Sequence, residues 1–268
     1  MACVFCGSTV SLTTEHVYAQ WVRQIMLAIG PTNVTRGEAQ SHVRTDTGLS
    51  VVLRKRVCQS CNTGWLSMLE RRVERWVAPA LVGQKIALAP ATQRIVAAWA
   101  VKQALLLEWT MRQMRSPTYV PESNLRWLYE HRDDPVAPPG CQVWVAAVDA
   151  QLGTADSLAA WNMAASAGED PNNPDQFFAT FSAGYFVVQV AGQDFREGGH
   201  LTRAGKPLLT FARPDELLPF LISIWPGRDD LIVWPPLYGF RRTDLRRLAQ
   251  WGATVGQRFV RVKIPQLK

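Results

Sequence analysis

Residues 58–65 read CQSCNTGW, a stretch in which Cys58 and Cys61 are two residues apart and run straight into Asn62. The same spacing stands near the N-terminus, where Cys3 and Cys6 lie in CVFCG. A CxxC knuckle lets both thiolates reach one ion, and two knuckles supply the four sulfurs of a closed tetrahedral zinc site, which staples rather than catalyses. Positions 7–57 separate the knuckles, whereas a simple zinc ribbon leaves about 15 to 20 residues. A folded segment is therefore expected between them. That segment carries the dipeptide Glu15-His16 in TTEHV, and the next acidic-His dipeptide is the distant Glu130-His131.

In combination, CVFCG, TTEHV and CQSCNTGW resemble the four-cysteine branch of the HNH endonucleases, a likeness confined to about residues 1–75. The resemblance implies an α+β chain that opens with a zinc-bound ββα-metal module. It implies a metal-dependent endonuclease acting on DNA, double-stranded by expectation, in bacteria or their phages. His16 would be the general base that activates water, while Glu15 and Asn62 would bind a catalytic magnesium or manganese ion, with nickel as a further candidate. The chemistry suits those roles. A neutral imidazole takes a proton from water near neutral pH, and carboxylate and amide oxygens are hard ligands for a divalent ion that stabilises charge on phosphorus.

The chain departs from the family pattern at three points. Glu15 stands where Asp is usual, GLSVVLRKRVCQSC lacks the family's middle Asn and leaves Asn33 as the only asparagine between the halves, and Trp65 and Leu66 fill the turn after Asn62. The missing middle Asn and the Glu at position 15 support the alternative reading, a catalytically inactive zinc-held module that binds nucleic acid or protein. Locally, Glu15 is also compatible with the first turn of a helix capped by Thr13 or Thr14, and Asn62 with a helix N-cap.

Charge is the next clue. The 268 residues include 29 basic and 22 acidic side chains, a net charge of +7, which points toward a polyanionic partner. Arg54, Lys55 and Arg56 precede the second knuckle and Arg71, Arg72 and Arg75 follow it, so these six are the candidate phosphate contacts. Glu70 and Glu74 are expected to balance part of the helical set. No uninterrupted apolar run reaches the roughly 18 residues of a membrane span, and Cys3 follows the start without a signal-peptide pattern. The expected place is the cytoplasm, with no membrane partner. Cys141 opens the apolar run CQVWVAAV and reads as a buried strand residue.

Two domains are expected, residues 1–87 and 88–268. In the first, EHVYAQWVRQIMLAIG suggests a short helix closed by Gly30-Pro31, SHVRT and LSVVLRKRV suggest a hairpin, and Thr63 to Val82 suggests a helix with Trp65, Leu69, Val73 and Trp76 on one stripe. His42 on the hairpin is expected at the surface. In the second, Thr92 to Met114 is apolar on most sides and reads as a central helix, in which Lys102 and Glu108 snorkel or pair. ESNLRWLYEHR reads as a further helix with His131 at its end. From Cys141 the period changes to two, and CQVWVAAVDA, LAAWNMAAS, FATFSAGYFVVQVAG and PLLTFA suggest a mixed or antiparallel sheet. Trp225-Pro226 and Trp234-Pro235 suit extended edges, and TDLRRLAQWG, which carries Arg246 and Arg247, reads as a last helix.

Overall fold

The structure is a computed structural model, and it describes residues 1–29, 33–36, 44–47, 51–113, 119–148, 161–167, 176–194, 220–241 and 262–263. His42, PLLTFA, TDLRRLAQWG and the Gly30-Pro31 helix stop lie outside the described residues. The chain is α+β, with predominantly antiparallel strands around one long helix.

Strand β1 (Leu12–His16) pairs antiparallel with β4 (Val52–Cys58), and between them the chain makes helix α1 (Gln20–Ile29) and strands β2 (Asn33–Arg36) and β3 (Arg44–Thr47). The expected partnership of the β3 region with β4 is not what forms. β3 pairs with β2, while β4 takes β1. The physical reason lies in the knuckles: the four cysteine Sγ atoms gather within 4.8 Å of one another, so β1 leaves the first knuckle where β4 enters the second, and Leu12 pairs with Cys58.

The register of β1 and β4 shifts between Thr13↔Val57 and Glu15↔Leu53, so the extra residues of the bulge lie on β4 at Arg54–Arg56. Lys55 there takes φ 51°, the left-handed conformation a bulge uses to bend a strand and re-aim its neighbours. The bulge also docks the first knuckle, because Val4 N donates to Arg56 O at 2.8 Å.

From β4 the chain enters a helical stretch made of a short turn α2 (Gln59–Cys61), a wide turn over Asn62–Leu66 with i→i+5 character, and α3 (Ser67–Leu81). The helix therefore begins inside the second knuckle, earlier than Thr63. Trp65, Leu66, Leu69, Val73, Val77 and Ala80 are its buried side, and Trp76 is half-buried. Next come β5 (Ile86–Leu88), the central helix α4 (Pro90–Gln113) and α5 (Glu122–Glu130). Every residue of α4 from Val96 to Val101 is apolar and buried, with Val96, Ala100, Ala104, Leu105 and Leu106 showing no exposure, and Ile95 before them is part-buried. It packs against α3, α5 and the strands of the large sheet.

That sheet runs β10-β6-β9-β8-β7-β2-β3, built from β6 (Cys141–Ala147), β7 (Trp161–Ala167), β8 (Gln176–Ala183), β9 (Phe186–Gly192) and β10 (Ile222–Trp225) together with β2 and β3. All its pairings are antiparallel except β2 with β7. β11 (Ile232–Trp234) pairs with β5, and β12 (Tyr238–Gly239) with β13 (Val262–Lys263). β8 and β9 are buried along their whole length, as strands covered on both faces are.

The turn between β8 and β9 touches the end of α3. Tyr185 N donates to Leu81 O at 3.1 Å, and Gly184, at φ +55°, lies so close that an added Cβ would meet Leu81 O at 2.0 Å. One apolar cluster consequently runs from Phe5 beside the knuckles through α3 and α4 to Trp234. Trp234 has no exposure and donates Nε1–H to Ala146 O at 2.8 Å, so it serves the core. Cys141 is buried in β6, accepts from Asn124 Nδ2 at 3.5 Å, and has its thiol pKa pushed up by burial. No helix among the described residues is long and apolar enough to cross a membrane.

Candidate metal centre and the cavity beside it

The two knuckles meet. The Sγ atoms of Cys3, Cys6, Cys58 and Cys61 all lie within 4.8 Å of one another, close to the separation of about 3.8 Å that four sulfurs take around zinc at 2.3 Å. Cys3, Cys58 and Cys61 are buried and Cys6 partly so. Local backbone geometry shapes the first knuckle. Gly7 N returns to Cys3 O at 2.9 Å, and Cys3 N donates to Ser8 O at 2.7 Å; the turn needs Gly7 at φ 77°, which glycine adopts at no steric cost. The second knuckle is the end of β4 and the first helical turn, tied back by Gln59 N to Ser11 O at 2.9 Å.

Protons are unevenly shared in this cluster. The Cys61 thiol donates toward Cys3 and pulls its pKa down to about 4, while the same bond and burial push Cys61 up. A bound metal takes all four as thiolates.

A cavity of about 270 Å³ is lined by Glu15, His16 and Gln20 on one side and by Asn62, Thr63, Leu66, Ser67 and Glu70 on the other. Thus the Glu15-His16 dipeptide and the distant Asn62 line one space. Neither local alternative for them holds. Glu15 sits in β1, not in a helix capped by Thr13 or Thr14, and Asn62 lies beyond the helix start, with no side-chain cap bond. Instead Asn62 Nδ2 donates to Thr13 Oγ1 at 2.9 Å and to Thr14 O at 3.1 Å. Thr13 in turn donates its hydroxyl to Val57 O at 2.9 Å. Helix and hairpin are therefore bolted together at the mouth of the cavity. With both amide hydrogens committed to β1, Asn62 Oδ1 is left without a donor among the described residues. Asn62, Leu66 and Glu70, four residues apart, fall along one lining stripe.

Behind the cavity stands a group whose role is not apparent from the sequence. Lys102 of α4 has no exposure, and its Nζ lies 2.8 Å from Glu70 Oε1 and 3.6 Å from Glu15 Oε1. Burial lowers the lysine pKa, and the two carboxylates more than reverse that, so it ends raised. Glu15 moves the other way: burial raises its pKa to about 7 against the pull of Lys102, with Glu70 adding to the rise. Glu70 thus serves Lys102 rather than the neighbouring arginines it was expected to balance. The signal was present in the sequence, because Lys102, the lone cation of the largely apolar run VAAWAVKQALLLEW, requires a partner when the helix is buried. Its partners could not be named without the packing of α4 on α3 and β1.

The six basic residues divide. Arg54, Lys55, Arg71, Arg72 and Arg75 are exposed; Arg72 donates to Asp133 O at 3.4 Å and Arg75 lies over the Trp76 ring. Arg56 instead folds against Trp109, 5.0 Å from the ring centroid, and lines a different cavity of about 450 Å³ with Arg126, Glu122 and Ser123. None of the six lines the space shared by Glu15, His16 and Asn62. His131 is satisfied locally, stacked on Trp127 and bonded to its carbonyl at 2.9 Å. In comparisons with known proteins, no family model, curated protein or solved structure matches this chain.

Proposed function

We propose that the chain is a metal-dependent endonuclease of HNH type, with zinc held by Cys3, Cys6, Cys58 and Cys61 and a divalent ion held by Glu15 and Asn62. The observation that carries this reading is the pair of hydrogen bonds from Asn62 to Thr13 and Thr14, which lock a hairpin and a helix around the cavity that holds Glu15 and His16. The donor set suits an oxygen-preferring ion such as magnesium or manganese, since it offers a carboxylate and a free amide oxygen. Such an ion supplies charge stabilisation at a phosphodiester. His16 is exposed at the end of β1, where its imidazole can reach a water molecule and accept its proton. The exposed cations at Arg54, Lys55, Arg71, Arg72 and Arg75 would contact phosphates of double-stranded DNA without reading sequence.

The test is nicking of supercoiled plasmid by wild type and His16→Ala with EDTA, magnesium, manganese and nickel. Metal-dependent nicking by wild type alone supports the assignment, and an active variant refutes the base. A second reading is favoured by one observation, the Lys102 ammonium already beside Glu15. On that reading the scaffold is a zinc-held binding module, and the same assay would show salt-sensitive DNA binding without cleavage by either protein.

A further inference from the structure

Glu70 lines the same cavity as Glu15 and Asn62, and nothing in the knuckle or dipeptide motifs points to it. Its carboxylate is shared between two surroundings. Oε1 faces inward to Lys102 Nζ at 2.8 Å, while Oε2 takes no hydrogen bond among the described residues. Glu15 repeats the arrangement, with Oε1 toward the same ammonium at 3.6 Å and Oε2 without a donor, although the residue is 95% removed from solvent at 5% exposure. The two carboxylates share one ammonium and line a space that Asn62 also lines, its Oδ1 without a donor among the described residues. Carboxylate and amide oxygens brought to one cavity by a strand and a helix are the chemistry of a hard divalent cation.

We infer that Glu70 is a protein ligand of the divalent ion, joining Glu15 and Asn62, with Lys102 holding both carboxylates from the far side. The inference rests on the metal-dependent reading above and adds a ligand to its centre. Glu70 reaches the cavity because positions 62, 66 and 70, four residues apart, share one stripe.

The experiment measures manganese binding by calorimetry and electron paramagnetic resonance on the full chain, zinc-loaded and free of other divalent ions, for wild type, Glu15→Gln, Glu70→Gln, Glu70→Asp and Glu74→Gln. Glu74 is one turn further on and does not line the cavity, so its variant is the control. Expected is one manganese site per chain in wild type and Glu74→Gln, loss in Glu15→Gln, and affinity weakened at least about tenfold in Glu70→Gln. Glu70→Asp keeps the charge beside Lys102 and withdraws the oxygens by a methylene, so it should also bind more weakly, and it replaces Glu70→Gln if that variant loses zinc or its melting transition. Wild-type affinity in either folded Glu70 variant, with Glu15→Gln inactive in binding, overturns the role of Glu70 and leaves the centre standing. No manganese site in wild type overturns the centre and Glu70 together.

Discussion

Lys102→Met is the substitution whose consequences the structure specifies most fully. Methionine keeps an unbranched side chain of similar length, so the change removes a charge with little loss of packing. The ammonium has no exposure and serves Glu70 at 2.8 Å and Glu15 at 3.6 Å. Removing one partner of a buried ion pair costs about 3–5 kcal/mol, because the remaining charge is left where water cannot replace the lost contact. The pH dependence follows from Glu15. Its pKa is raised in the folded protein from 4.5 to about 7, chiefly by burial, so folding favours the protonated form. Its contribution is therefore fully present below the unfolded value and is lost as pH rises through the folded one, an amount of about 3 kcal/mol. Without Lys102 the opposing pull vanishes and the folded value climbs further. The deficit of the variant against wild type should be largest near pH 8 and shrink toward pH 5, while titration of Lys102 itself, raised from 10.5, lies above that window. Urea unfolding read by the fluorescence of the 11 tryptophans, at pH 5, 6.5 and 8 with zinc bound, measures it. A deficit below about 1 kcal/mol at pH 8, or one that grows on acidification, would refute a charge-bearing clamp. Adding Glu15→Gln and Glu70→Gln to Lys102→Met should restore most of the loss, since no uncompensated charge then remains.

Other expected outcomes bear on the remaining parts. Cys58→Ser should lose bound zinc and the folded state of the surrounding hairpin, because structural zinc binding is folding energy; retained zinc measured by atomic absorption counts against the four-sulfur cluster. Asn62→Ala removes two hydrogen bonds to β1 and should cost about 1–3 kcal/mol in the same unfolding assay, with unchanged stability meaning that helix and hairpin are not joined there. Gly184→Ala should destabilise by about 1–2 kcal/mol from its left-handed backbone alone, and by more because the new Cβ meets Leu81 O. A neutral result would place the β8–β9 turn away from α3.

Much of the local structure was legible from pattern. The CxxC spacing identified four sulfurs, and the structure gathers those four; apolar period marked α1, α3, α4 and α5, and period two marked β6 to β9. These signals survive because each depends on residues close in sequence, whose side chains share a face whatever the fold does later. Cys141 was readable for the same reason, since an apolar strand of that length has to be buried.

What tertiary structure alone decided depends on contacts between distant segments. The pairing of β4 with β1 rather than with β3 goes with the meeting of the two knuckles, which sets Leu12 opposite Cys58. The bulge at Arg54–Arg56 and the wide turn after Asn62 shift the phase of strand and helix by whole residues, which no periodic reading anticipates. Above all, Lys102 announced in the sequence only that a buried helix carried a charge. Its placement between Glu15 and Glu70 required α4 to pack across both the hairpin and α3, because a charge in a closed interior is compensated by whichever opposite charge the packing brings within reach.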